Sequence, residues 1–357
     1  MDENKIKSEN KVAEADTQKH RKKRRFPIWA RVVSIILASV LLLSLAAVGT
    51  AYIFINSQLS KIERPDGDPI ETVPPKDEIF EEDEYQEGTQ IVAPEDIIWD
   101  DDVNVLHSDS VINILLVGQD TRTEGTTGRT DSMMILTVNT KSNKLKVTSL
   151  MRDMYVQIPG YSDNRLNTAY FFGGYELLQA TIEKNFGIRI DYFAEIDFFA
   201  FVKVVDMLDG IYVDLNAEEA AMLKVWGHRT VEGRNRLDGD AALSYCTMRY
   251  VGNADYDRTQ RQRKAMASVY ARLKETVSVP FILQLVDEIF PQIKTNMTNG
   301  QIMSLVMTVY SMNAEGIEQY RIPADGTFTS MYIRGMAVLV PDLSACRKYL
   351  QEILYSD

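Results

Sequence analysis

Aspartate and arginine recur together at the points where this 357-residue chain turns. An apolar run at 111–117 leads into Gly118, Gln119, Asp120, Thr121 and Arg122. After a glycine-bearing loop, Gly128, Arg129, Thr130, Asp131 and Ser132 open the next apolar run. The run 144–150 ends in Met151, Arg152 and Asp153. Arg165 and Asn167 follow, then Arg249, and finally the segment from Asp255 to Arg263, with Arg258 and Gln262 inside it. Two carboxylates with hydroxyls beside them, Asp120 and Asp131, suit a hard cation such as Mg²⁺, which takes one or two protein carboxylates and otherwise water or phosphate oxygens. Guanidinium forks match phosphate oxygens bidentately. Together these residues point to a diphosphate held with Mg²⁺. The same residues also read as surface ion pairs, Asp120 with Arg122 and Asp257 with Arg258, each worth about 0–1 kcal/mol. Composition alone does not choose between the two.

Other chemistries lack their residues. The chain has no P-loop, no Rossmann glycine fingerprint, no HExxH and no GxSxG. Its histidines, His20, His107 and His228, fall away from these segments, which argues against a histidine-based nucleophile triad. Cys246 and Cys346 lie far apart without CxxC spacing, so a thiolate metal site or redox motif is not expected. One disulfide or two buried small apolar residues are the open readings. A net charge of −12 argues against a nucleic-acid partner.

Hydrophobic periodicity supplies the elements that must position the Asp and Arg residues. A buried strand is expected at 111–117, and a strand pair at 133–139 and 144–150 joined by a turn at 140–143. Helical spacing runs over 168–186 with Gly187 as a stop, and over 198–208 closed by Gly210. A strand at 211–215 and helices at 241–248 and 258–273 follow. Such interleaving predicts an α/β layered domain. Adjacent strands would carry Asp120, Asp131 and Arg152 to one sheet edge, where ligands of open α/β sheets bind.

The chain ahead of this domain has a different character. Residues 32–55 carry no charge and are long enough to cross a bilayer. The run Lys19, His20, Arg21, Lys22, Lys23, Arg24, Arg25 precedes them, which predicts a cytoplasmic tail at 1–31 and an external remainder. A cleaved signal peptide is the rival reading. It would have a shorter apolar region and a small-residue cleavage site, whereas this span ends in Tyr52, Ile53, Phe54 and Ile55. Residues 56–110 hold Pro65, Pro69, Pro74, Pro75 and Pro94 with acidic runs, the composition of an extended linker. It reads either as a stalk that sets the height of the domain at 111–357 or as a plain tether.

The motifs at 117–122, 129–134, 151–153, 165–174, 237–245 and 257–263 resemble, in this order, those of the LytR-CpsA-Psr family. The resemblance implies an α-β-α sandwich with a central mixed sheet behind a membrane anchor. It implies an enzyme of Gram-positive-type cell walls that moves a glycopolymer, such as teichoic acid or capsular polysaccharide, from a polyprenyl-diphosphate carrier to a muramic acid hydroxyl of peptidoglycan. By position, Asp120 and Asp131 would hold Mg²⁺, and Arg129, Arg152, Arg165, Arg249 and Arg258 would hold the diphosphate with Gln262 close by. Arg152, Asp153 and Arg258 are the catalytic candidates. Phe198, Phe201, Val202, Val205 and Leu208 would line a tunnel for the lipid, although such a stripe also suits plain core. The chain departs from the family pattern at three places. Arg165 replaces a lysine, Met151 replaces a proline, and Thr247 stands where an arginine is usual. Hydrolysis of the same lipid, or its binding without catalysis by a regulator of wall synthesis, are the alternative functions.

Overall fold

The computed structural model describes residues 49–50, 52–65, 80, 82–100, 103–119, 130–276, 278–312 and 314–355. The chain divides into two compact units, Met1–Phe54 and Ile55–Asp357, and every element named below lies in the second. The expected tail at 1–31 and most of the expected membrane span, residues 32–48 and 51, lie outside the described residues. Among the described residues, no helix is long and apolar enough to cross a membrane.

Much of the segment expected as a linker is packed. Its strand β1 (Gln90–Ile91) runs parallel to Met331 and Tyr332. Trp99 stacks on Tyr155 with ring centres 6.1 Å apart and donates Nε1–H to Asp163 at 2.7 Å. Leu106 bridges to Ile188. Apolar residues between the prolines and acids, Phe80, Val92, Ile97 and Trp99, are what make this possible. They bury against Ile333, Met336 and Val338 in place of water.

The domain continues with β2 (Val111–Gln119), β3 (Thr130–Asn139) and β4 (Lys144–Leu150). Two short strands, β5 (Tyr155–Val156) and β6 (Asn164–Arg165), precede helix α1 (Leu166–Phe186) and strand β7 (Tyr192–Asp197). A second group follows: α2 (Phe198–Met207), β8 (Ile211–Leu215), α3 (Ala217–Val225), β9 (Gly233–Leu237), α4 (Gly239–Thr247) and α5 (Ala254–Thr276). The chain ends with α6 (Val279–Glu288), β10 (Ile293–Thr295), α7 (Asn299–Met312), β11 (Ile317–Ile322), β12 (Phe328–Ile333), β13 (Met336–Pro341) and α8 (Leu343–Tyr355).

The central sheet is mixed, in the order β10-β7-β2-β3-β4-β11. Side chains alternate across it with period two. Leu115, Val117, Met133, Ile135 and Leu150 meet α1 and α8 on one face. Val138 and Leu145 meet Tyr270 of α5 and Val309 of α7 on the other. Helices therefore cover both faces, and the inner strands β2, β3 and β4 are largely buried.

Local sequence explains the element ends. Gly187 closes α1 at φ 64°, and Asp197, Asn216 and Asp238 cap α2, α3 and α4 by accepting backbone N–H bonds. Gly173 and Gly174 kink α1, and Gly174 sits at φ 61°, ψ −153°, a conformation that essentially only glycine adopts. Cys246 and Cys346 are unpaired and buried in different hydrophobic clusters, and burial pushes their thiols up to about 12 and about 11. They serve as small apolar residues.

Candidate functional site

Strand direction gathers the site. β2 is parallel to β7, β4 is parallel to β11, and both β2 and β4 are antiparallel to β3. The carboxyl ends of β2, β4, β7 and β11 thus finish on one edge, with Gln119 beside Asp197 and Leu150 beside Ile322. Thr130, the first residue of β3, faces Gln119 on that edge. Ligands of open α/β sheets bind at such an edge. The register of β2 against β3 slips between Gly118 and Gln119, so Asp131 falls in a bulge, a feature frequent beside active sites. The side chain of Asp131 is not described, and Asp120 and Arg129 lie outside the described residues.

An alternating lattice of arginines and carboxylates stands at this edge. Arg152, just after β4, donates from Nη2 to Asp255 Oδ2 at 3.1 Å and approaches Asp153 Oδ1 from Nε at 3.5 Å. Arg258, one turn into α5, is 2% exposed and pairs with the other oxygen of Asp255 at 2.9 Å. Arg165, at the end of β6, reaches Asp153 Oδ1 at 3.7 Å and also pairs with Asp83. Asp255 bridges two arginines, and so does Asp153. The surface-pair reading of Arg258 with Asp257 fails, because Asp257 instead accepts the backbone N–H of Asn253 at 2.7 Å.

The two carboxylates titrate in opposite directions. Burial works against ionising Asp255, but Arg258, Arg152 and Arg249 together with a hydrogen bond from Asp153 outweigh it, and its pKa is lowered. Burial dominates at Asp153, helped by the nearby Asp255 charge, and its pKa is raised despite Arg152 and Arg165. The two are hydrogen-bonded, and their surroundings favour the negative charge on Asp255 over Asp153.

The remaining expected residues fall into place around it. Gln262 follows Arg258 by one helical turn and shares its face of α5. Arg249 is exposed, and its charge acts on Asp255. Thr247 is exposed at the end of α4, and its hydroxyl donates to the carbonyl of Leu243 at 2.8 Å. The apolar stripe is divided. Val205 and Leu208 are fully buried in a core with Ile211 and Val213, Phe201 packs on that core, and Phe198 and Val202 are half-buried.

Two residues of this lattice were not legible as such. Asp255 sits in a noted motif, but only the fold brings it to Arg152, 103 residues away. Asp83 lies in a segment whose acidity reads as solvation. There it accepts the Ala337 backbone N–H at 2.7 Å and pairs with Arg165, whose Nη2 also donates to the Ala337 carbonyl at 2.8 Å. Tyr332 Oη donates to the Asp83 carbonyl at 2.7 Å. Asp83→Ala is expected to cost about 1–3 kcal/mol, the penalty for leaving a buried polar partner unsatisfied. Urea unfolding checks this. A shift within about 0.5 kcal/mol, typical of surface positions, would make Asp83 an ordinary tether residue.

A family model described as the LytR_cpsA_psr family matches residues 80–352. The chain belongs to the LytR-CpsA-Psr family. The match starts at the packed segment rather than at β2, in line with the contacts of Asp83 and Trp99. Among relatives of known name, the chain is 34% identical over 217 residues to the polyisoprenyl-teichoic acid--peptidoglycan teichoic acid transferase TagU of Bacillus mycoides, covering 60% of this chain and 69% of that one. It is 30% identical over 221 residues to the regulatory protein MsrR of Staphylococcus aureus, covering 62% and 67%. Its fold superposes on the solved structure of TagT bound to LI-WTA with a TM-score of 0.58 at 25% identity, over 75% of this chain and 98% of that one. These likenesses place the Arg–Asp lattice within a LytR-CpsA-Psr domain.

Proposed function

We propose that this LytR-CpsA-Psr protein is a single-pass membrane phosphotransferase with its domain outside the cell. It would take a glycopolymer from a polyprenyl-diphosphate carrier and join it to peptidoglycan through a phosphodiester. The observation that carries this reading is the bridged lattice of Arg152, Arg165 and Arg258 at the carboxyl ends of the sheet. Guanidinium forks held in place by carboxylates at such an edge suit a diphosphate. The likeness to TagU supports the reaction class, and the basic run before residues 32–55 supports the topology.

In this reading an acceptor hydroxyl attacks the phosphorus next to the glycan. A new P–O bond forms, the P–O bond to the polyprenyl phosphate breaks, and the acceptor proton passes to solvent or to a carboxylate. Phosphoryl transfer of this kind depends on positioning and charge neutralisation. Arg152 and Arg258, held by Asp255, would bind the diphosphate and the leaving phosphate as its charge grows. Asp153 touches Arg152 and Arg165 and hydrogen-bonds Asp255, so it orients arginines rather than acting as the base. Mg²⁺ fits by donor chemistry at Asp120 and Asp131. Among the described residues no group of three His, Cys, Asp or Glu is arranged for a metal, and Asp153 and Asp255 are committed to arginines. When bound, Mg²⁺ would neutralise diphosphate oxygens.

Incubating the full chain with a lipid-diphosphate-linked sugar, Mg²⁺ and peptidoglycan fragments, followed by mass spectrometry, tests the proposal. A sugar-phosphate-glycan product is expected, and Asp131→Asn is expected to abolish it with little change in unliganded stability. Release of sugar phosphate to water would indicate a hydrolase. Binding without turnover would indicate a regulator, the role in which MsrR is named.

A further inference from the structure

Helix α7 lies at the surface yet carries no charge. No charged residue occurs between Lys294 and Glu315. Its inner side, with Ile302, Leu305 and Val309, packs on the domain. Its outer side is divided. Val306, Met307 and Tyr310 are 45%, 59% and 72% exposed, and they follow Met303 by three, four and seven residues, which puts them in one apolar stripe along the helix. Gln301, Ser304 and Ser311 are exposed as well and are polar.

The start of the same helix holds the chain just after the expected membrane span. Ile55 ends the uncharged run, and residues 55–59 are helical. Asn299, the first residue of α7, donates from Nδ2 to the Asn56 carbonyl at 3.1 Å, to Asn56 Oδ1 at 3.0 Å and to Ser60 Oγ at 3.2 Å. Leu59 and Ile62 are buried with Met297 and Ile302, and Ile55 and Met303 pack on that cluster. Arg64 donates from Nε to the Met297 carbonyl at 2.9 Å and from Nη2 to Asn299 Oδ1. A chain that leaves the bilayer at Ile55 is thus fastened to α7 within about one helical turn, which confines the start of α7 to about the level of the headgroups. Apolar side chains bury at that level, and tyrosine rings favour it. Three side chains fall short of the roughly 800 Å² per partner that a stable protein interface buries. A bilayer needs no shaped partner, and here the span supplies the affinity. We propose that Val306, Met307 and Tyr310 dip into the outer interface of the membrane and hold the domain against it in one orientation. This rests on the membrane anchorage in the function proposed above and not on the transferase chemistry.

The test is site-directed spin labelling of the full chain in phosphatidylcholine vesicles. Cys246 and Cys346 are buried, so a thiol label reports on one introduced cysteine at a time. Labels are placed by Met307→Cys and Tyr310→Cys on the stripe and by Ser304→Cys and Ser311→Cys beside it. All four positions are exposed, so the substitutions leave the core intact. Collisions of each label are measured with oxygen, which concentrates in lipid, and with a water-soluble nickel chelate present on both sides of the vesicle. The ratio of oxygen to nickel collisions is expected to be higher at 307 and 310 than at 304 and 311, and the difference is expected to vanish in a variant with Val306, Met307 and Tyr310 all changed to serine and the label moved to Met303→Cys. Equal ratios at all four positions, in a chain that floats with the vesicles, would overturn the proposal and leave the anchorage standing. Shielding of 307 and 310 from both reagents would mean a protein partner, such as a second copy, and would overturn it too. A chain that does not float with the vesicles would overturn the anchorage and this proposal together.

Discussion

Asp255→Ala is expected to destabilise the folded chain by about 3–5 kcal/mol, the usual cost of removing one partner from a buried ion pair. Asp255 joins Arg152 to Arg258, and Arg258 is 2% exposed, so the variant removes a counter-charge from a cation shielded from water. Asp255→Asn keeps the shape and tests the charge alone. The pH dependence has a defined sign. The pKa of Asp255 is lowered in the folded chain, so its contribution is present above the ordinary carboxylate value of about 3.9 and is lost as pH falls through the lower folded value. Asp153, with a raised pKa, contributes in the opposite sense, and its share is lost as pH rises through that raised value. The gap between wild type and Asp255→Asn should therefore narrow as pH falls below about 4. Denaturant titrations between pH 3 and 7 measure it. A loss within about 0.5 kcal/mol at neutral pH would reduce the lattice to a surface arrangement.

Arg258→Ala is expected to weaken binding of a short-chain polyprenyl diphosphate by about 1.5–3 kcal/mol, the range for hydrogen bonds to charged groups. Turnover should fall about 10²–10³-fold, as when one preorganised donor to a developing charge is lost. Arg258→Lys should recover only part of either effect, because an ammonium is a point charge without the fork. Arg152→Ala should behave in the same way but unfold less, since Arg152 is 24% exposed whereas Arg258 is sealed. Calorimetric titration and single-turnover assays, run at a temperature where each variant is folded, separate binding from stability. Unchanged affinity in both alanine variants would remove the diphosphate from this site.

The alanine variant at Asp255 and those at the arginines separate assembly of the lattice from its use. The first examines whether the lattice is assembled by its carboxylates, and the second whether the assembled lattice meets a ligand. A chain that loses stability at Asp255 but keeps full ligand affinity at Arg258 would hold a structural network with no diphosphate on it.

Sequence by itself determined the frame of this protein. The apolar runs at 111–117, 133–139 and 144–150 are strands, and 168–186 and 258–273 lie within helices, because local side-chain pattern fixes which faces can be buried. The convergence of Asp131 and Arg152 on one edge was also readable, since a tight turn at 140–143 forces β3 and β4 to be antiparallel. The ordered motifs led to the LytR-CpsA-Psr family. Only the tertiary structure decided the partners. Asp255 and Arg152 are 103 residues apart, and Asp83 and Arg165 are 82 apart, and no local pattern encodes a contact that two separate elements create by packing. The linker misled because acids and prolines signal solvation on average, whereas a few apolar residues among them, Phe80 and Trp99 above all, suffice to bury the segment.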